Sequence, residues 1–350
     1  MAGSPLPAQS IVDGSVRTAP QILVYELGSP VARRVTQVAI PMAIVIPIGR
    51  GLVVDLGTAW ASAEVEGEGT RSRVEGLTDT QLRATYTLGR DAVVLTAGLN
   101  LPTGQSTVDS AGIEAAGIIG NDFLAFPISN MGTGFGGTGG LAAARTFGAW
   151  SLGAGASMRY SARYEPFEIG GDRVQYEPGN EYRLRIGGDR MLFGGRFAFG
   201  LTAAFFGDDA AGGTTYATGD RYIVQAGLAR RVGGTDLTIS GWNLTRGTGE
   251  TIAGTAPWEN IANLTFVAGM EAGGARIEPS VELRHRYESG SGEPSRDGVL
   301  ATLGLRAGWR ILGVSVSPAV GYTIGGVDAT AGERSRLTGW RASVGMRSGR

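Results

Sequence analysis

Apolar and polar side chains alternate residue by residue along most of this chain, in stretches of about ten or more residues divided by glycine-rich turns. The clearest stretch is 276–287. Arg276, Glu278, Ser280, Glu282, Arg284 and Arg286 occupy one parity; Ile277, Pro279, Val281, Leu283, His285 and Tyr287 occupy the other. Successive strand side chains point to opposite faces, so one face here is mostly apolar and the other charged. A strand of this length and division suits a transmembrane barrel, with lipid outside and water or a polar network inside.

The same pattern predicts sixteen strands, at 15–27, 35–46, 52–64, 78–88, 92–101, 139–147, 150–164, 181–192, 196–206, 221–231, 236–246, 260–271, 276–287, 298–311, 314–324 and 336–347. Short turns at 89–91, 193–195, 233–234, 273–274 and 312–313 alternate with long connections at 65–77, 102–138, 165–180, 207–220, 247–259, 289–297 and 325–335. Short turns at one end and long loops at the other are the pattern of an outer-membrane barrel. The expected fold is all-β: an antiparallel transmembrane β-barrel of about 16 strands, with short periplasmic turns and long extracellular loops. It occupies 15–350 as one domain, after a flexible N-terminal segment, 1–14. Sixteen strands require 15–27 to be one of them, which brings both termini to the periplasmic side. If it is an arm or a plug, 14 strands is the alternative. A soluble solenoid or sandwich fits less well, because a soluble sheet buries its apolar face against a second layer.

Individual strands assign the faces. In 150–164 the apolar parity brings Tyr160 and Tyr164 to the loop end, where an aromatic girdle would lie, and the other parity carries Arg159 and Arg163. In 298–311, Leu303, Leu305 and Trp309 point outward and Arg306 and Arg310 inward. The longest connection, 102–138, has room for a short helix within 107–124 and runs into the glycines of 132–140. Structureless loops of that length are uncommon unless they serve a function. Two readings stand: a segment folded into or over the lumen that restricts it, or an extracellular cap with no part in transport.

Composition removes several other classes. The 350 residues include no Cys and one His, His285, so disulfide scaffolds, Cys-based metal sites and Ser-His or Cys-His catalytic pairs are not expected. All 31 basic residues are Arg, and a phosphate loop of the kind that needs Lys is missing. The formal net charge of −1 suggests no nucleic-acid partner. Glycine, at 59 residues, is more than twice the usual share of about 7%. Frequent turns and a crowded barrel interior account for it. Residues 1–10 lack the basic start and apolar core of a signal peptide, so the export signal is expected to have been removed or replaced.

The chemistry concentrates in inward arginines. The expected lumen-lining residues are Arg83, Arg159, Arg163, Arg183, Arg185, Arg221, Arg284, Arg286, Arg306, Arg310 and Arg341, with Glu278 and Glu282 among the fewer inward acids. A basic-leaning lumen favours anions at a constriction; alternatively, Arg–Glu networks brace the wall and fill the hole. Glu278 and Glu282 share a face but lie roughly 13 Å apart along a strand, too far for paired hydrolytic catalysis. His285 falls on the outward parity near a loop end, an interfacial position. No catalytic residue, cofactor or metal is expected.

Three stretches carry a family resemblance: Arg34 to Pro41, Gly76 to Tyr86, and Gly98-Leu-Asn-Leu-Pro-Thr-Gly104. Over about 34–105 the chain resembles bacterial outer-membrane barrels labelled "meta-pathway of phenol degradation", distantly similar to long-chain fatty-acid channels. The resemblance implies passage of small, hydrophobic or aromatic compounds. The chain departs from many such barrels in ending Gly345-Met-Arg-Ser-Gly-Arg350 rather than in an aromatic residue. The expected function is passive passage of small hydrophobic, aromatic or anionic molecules across a bacterial outer membrane, in contact with lipid and lipopolysaccharide. The alternative is a structural or interaction barrel with a closed lumen, whose loops bind another copy or another envelope protein.

Overall fold

Alternating stretches and glycine turns close on themselves in the computed structural model, which describes residues 14–28, 33–49, 51–89, 92–251, 254–289, 296–330 and 333–348. Sixteen antiparallel strands form the wall. They are β1 (Ser15–Thr18 and Gln21–Leu27), β2 (Arg34–Ile48), β3 (Leu52–Glu66), β4 (Arg71–Leu77 and Thr80–Leu88), β5 (Val93–Leu101), β6 (Gly136–Phe147), β7 (Trp150–Ser161) and β8 (Glu181–Leu192). Then follow β9 (Gly195–Phe206), β10 (Arg221–Val232), β11 (Thr235–Arg246), β12 (Trp258–Ala272), β13 (Ala275–Ser289), β14 (Arg296–Ile311), β15 (Val314–Thr330) and β16 (Glu333–Ser348). Each pairs with the next, and β1 pairs with both β2 and β16, so the sheet has no free edge. Closure depends on 15–27 being a strand, and the fourteen-strand alternative falls.

Two strands are interrupted, with different consequences. Pro20 cannot donate to a ladder, and β1 breaks there without slipping: Val16↔Ile44 and Gln21↔Ala39 keep one register. β4 breaks at Thr78–Asp79 with a shift of one residue, since Trp60 faces Leu77 but Leu52 faces Tyr86. This is a β-bulge, and it redirects the side chains around it.

Several long connections are more ordered than expected. Residues 71–77 belong to β4, and β15 and β16 run far into 325–335. Ladder bonding continues past the apolar belt because backbone groups gain partners there whatever the side chains. Short strands Tyr164–Ile169, Asp172–Glu177, Asp209–Ala211 and Thr214–Tyr216 form a small sheet over the long-loop end, joined by Val108–Asp109. Gly249–Thr251 pairs with Gly254–Ala256 beside it. The N-terminal segment 1–13 and parts of the expected turn 89–91 and connection 289–297 lie outside the described residues.

The two faces of the wall differ as lipid and lumen require. Outward positions are exposed and apolar: Met42, Ile44, Ile46 and Ile48 on β2, Val320, Tyr322 and Ile324 on β15, and Leu303 at 64% exposure on β14. The buried apolar cluster is inside the barrel. Leu23, Tyr25, Val35, Ala39, Ala61, Ala63 and Val65 from β1–β3 pack against Ala115, Ile119, Phe123, Leu124, Phe126 and Met131 of the 102–135 insertion. The helix within it, α1 (Ile113–Ile119), is one short piece of that insertion.

Candidate functional site

The insertion between β5 and β6 is tied down at its root by Asp79, in the β4 bulge. One Asp79 oxygen accepts the Gly104 N–H at 3.1 Å; the other accepts the Thr133 N–H at 2.6 Å and the Asn100 amide at 2.8 Å. One buried carboxylate, 7% exposed, thus holds both ends of the insertion. Thr103 adds bonds to Thr80 N–H at 2.8 Å and to the Thr78 carbonyl at 3.3 Å. The approach is close enough that a Cβ at Gly104 would lie 2.2 Å from the Met131 carbonyl oxygen. The stretches 76–86 and 98–104, which carry the family resemblance, meet at this anchor.

Further along, barrel side chains pair with the insertion's backbone. Gln37, fully buried, accepts the Ile128 N–H at 3.0 Å and donates to the Ile128 carbonyl at 2.7 Å. The Ser72 hydroxyl donates to the Ala111 carbonyl at 2.5 Å and accepts the Ala115 N–H at 3.1 Å. The Tyr25 hydroxyl donates to the Leu124 carbonyl at 3.1 Å. Contacts also reach β11, β13 and β14. Arg246 pairs with Asp122 at 2.7 Å, and Arg284 donates to the Phe123 carbonyl at 2.8 Å. A Cβ at Gly298 would lie 2.9 Å from the Phe123 ring.

Arginines on the wall fall into two groups. On β13, β14 and β16, Arg276, Arg284, Arg286, Arg306 and Arg341 are paired with carboxylates. Glu282 pairs with Arg284 at 2.5 Å and Arg341 at 3.4 Å, and accepts from Asn263 at 2.7 Å. Glu278 pairs with Arg276 at 2.8 Å and Arg306 at 3.3 Å. Arg286 pairs with Glu259 at 2.7 Å and with Glu288. Arg83 on β4 pairs with Asp55 at 3.1 Å. Several of these pairs join residues two apart on one strand, which share a face.

On β7–β10, Arg196 pairs with Asp189 at 3.0 Å and Arg231 with Asp236 at 3.8 Å near the short-turn end, while the inward arginines nearer the long loops mostly lack such partners. Arg183 pairs with Glu181, but Arg185 donates to the Thr202 hydroxyl at 3.1 Å and Arg221 lies over the Phe206 ring at 5.4 Å. Arg159 has only a 3.5 Å contact to the Thr133 hydroxyl. Among the described residues, no carboxylate lies within 4.0 Å of Arg159, Arg185, Arg221 or Arg310. Arg163 lies past the end of β7 and pairs with Glu177 of the loop sheet at 2.6 Å, so it belongs to the cap above the barrel rather than to the strand wall. A cavity of about 730 Å³ opens against β7–β11, with Arg159, Arg185 and Arg221 in its wall and Tyr164 and Tyr176 at its loop side. Among the described residues, no cluster of His, Asp and Glu is arranged to hold a metal ion.

Of the residues that hold the insertion, Arg284 was among the sequence candidates, but Asp79, Gln37, Ser72 and Tyr25 were not. Asp79 is hidden by a bulge that no parity count includes. Gln37 did leave a trace: with Val35 and Ala39 it shares an inward face that is apolar where water would be expected.

No family model matches the chain, and no curated protein matches it. Solved structures are similar over nearly the whole length. A bacterial polysaccharide outer membrane secretin superposes with a TM-score of 0.50 at 9% identity, covering 94% of this chain and 97% of that one. OccK11 (OpdR) of Pseudomonas aeruginosa gives 0.49 at 10% identity, with 97% and 96% covered. An outer membrane channel from Pseudomonas putida F1 gives 0.42 at 11% identity, with both chains fully covered. At these identities the likeness is one of fold.

Proposed function

We propose that the protein is a channel of the bacterial outer membrane that passes small molecules and catalyses no reaction. The observation that carries this reading is the division of the wall: exposed apolar side chains on its outer face, charged ones on its inner face. Most barrel strands have 12 to 17 residues, beyond the ~9–11 that cross a bilayer. Short turns then face the periplasm, long loops face outward, and lipid and lipopolysaccharide surround the belt.

The insertion restricts the lumen in this reading, because it is bonded to β1–β4 on one side and reaches β11, β13 and β14 on the other. The passage follows the remaining wall, β6–β10. Arginines there favour anionic solutes, while the family resemblance favours hydrophobic or aromatic ones. A closed structural barrel is the second reading, and the same insertion is what favours it. Single-channel recording of the purified protein in a planar bilayer decides between them. A stable conductance that prefers anions supports the channel; silence from a barrel shown to be folded refutes it.

A further inference from the structure

The inner wall is charged unevenly, and the unevenness has a location. Arg284, Arg286, Arg306 and Arg341 on β13, β14 and β16 are paired with Glu278, Glu282, Glu259 and Glu288. The acids bordering the cavity against β7–β11 are already engaged. Glu181 takes Arg183, Asp122 takes Arg246, Asp209 accepts from the Tyr176 hydroxyl at 2.9 Å and the Gly179 N–H at 2.7 Å, and Glu250 accepts the Ala217 N–H at 3.4 Å. Arg159, Arg185 and Arg221 remain with guanidinium donors unmatched by any carboxylate among the described residues. Such planar, fixed-geometry donors fit a carboxylate in two parallel bonds.

Three aromatic rings share the lining with the arginines. Tyr164 and Tyr176 meet edge to face at 5.5 Å, and Phe206 lies beneath Arg221. Burial pushes the Tyr164 phenol up to about 12, so it stays neutral and brings no negative charge against an anion. The volume, about 730 Å³, lies within the range of small-molecule sites.

We propose that this cavity binds a small aromatic carboxylate, its carboxyl held by Arg159, Arg185 and Arg221 and its ring set against Tyr164, Tyr176 and Phe206. The assignment rests on the reading of the barrel as a channel for small molecules, and names the solute class for that passage. Its test is binding rather than current. Equilibrium dialysis of the detergent-solubilised full chain against labelled benzoate, acetate and benzyl alcohol reads the site whether or not the barrel conducts.

Saturable benzoate binding is expected, with acetate and benzyl alcohol at least about tenfold weaker. The combined variant Arg159→Gln, Arg185→Gln, Arg221→Gln should lose about tenfold or more. Arg145→Gln, Arg190→Gln, Arg230→Gln makes the same charge change on the outward face, opposite Leu152, Phe197 and Leu237, and should bind benzoate as the original does. No saturable benzoate binding, or equal loss in both triple variants, overturns the site; equal binding of acetate overturns the aromatic half. A silent bilayer with intact benzoate binding would count against the channel alone.

Discussion

Replacing Asp79 by Ala should free the insertion from its root. Three bonds to an ionised acceptor disappear, each contributing about 1.5–3 kcal/mol. Water that enters the vacated site offsets part of this, leaving a penalty of about 3–6 kcal/mol on the anchored insertion. The lower figure alone raises the population of released states by about a hundredfold. Asp79→Asn keeps one carbonyl acceptor and should show a smaller effect. Two readouts follow the release: single-channel conductance should rise or become noisy, and chymotrypsin should cut after Phe123 and Leu124, which are buried in the intact barrel. Heat-dependent mobility in gel electrophoresis confirms that the variant barrel is folded. A folded Asp79→Ala barrel with unchanged conductance and full resistance to chymotrypsin would refute the anchoring argument.

Further tests address the other contacts. Gly298→Leu should drive Phe123 out of its seat on β14, and its conductance should exceed that of a leucine placed at Gly139, where a Cβ meets nothing within 4 Å. A cysteine at Leu303 should react only with lipid-phase reagents and one at Arg306 only with aqueous ones; the opposite labelling would invert the assigned faces. Deleting 106–131 should raise conductance, and an unchanged value would mean that the insertion caps the barrel without narrowing it. Gln37→Leu removes both bonds to Ile128, each lost partner costing about 1–3 kcal/mol, and should expose the same chymotrypsin sites as Asp79→Ala.

The barrel itself was legible from the sequence by itself. Period two reports which side of a strand meets lipid, so 276–287 or 298–311 discloses its faces without any neighbour, and glycine turns divide one strand from the next. Parity left sixteen or fourteen strands open, and only the pairing of 15–27 with both β2 and β16 decided for sixteen. What tertiary structure decided lies where a residue's partner is distant in sequence. Arg286 is neutralised by Glu259 and Arg341 by Glu282, whereas Arg185 and Arg221 have the same pattern around them and no acid. Only the register of adjoining strands separates the two cases. The apolar inner face at Tyr25, Val35, Ala39 and Ala61 likewise makes sense only with the insertion packed on it. Asp79 joins residues 104 and 133 through a one-residue bulge; the bulge flips the parity between Leu77 and Leu82, but the flip does not say which distant residues meet there.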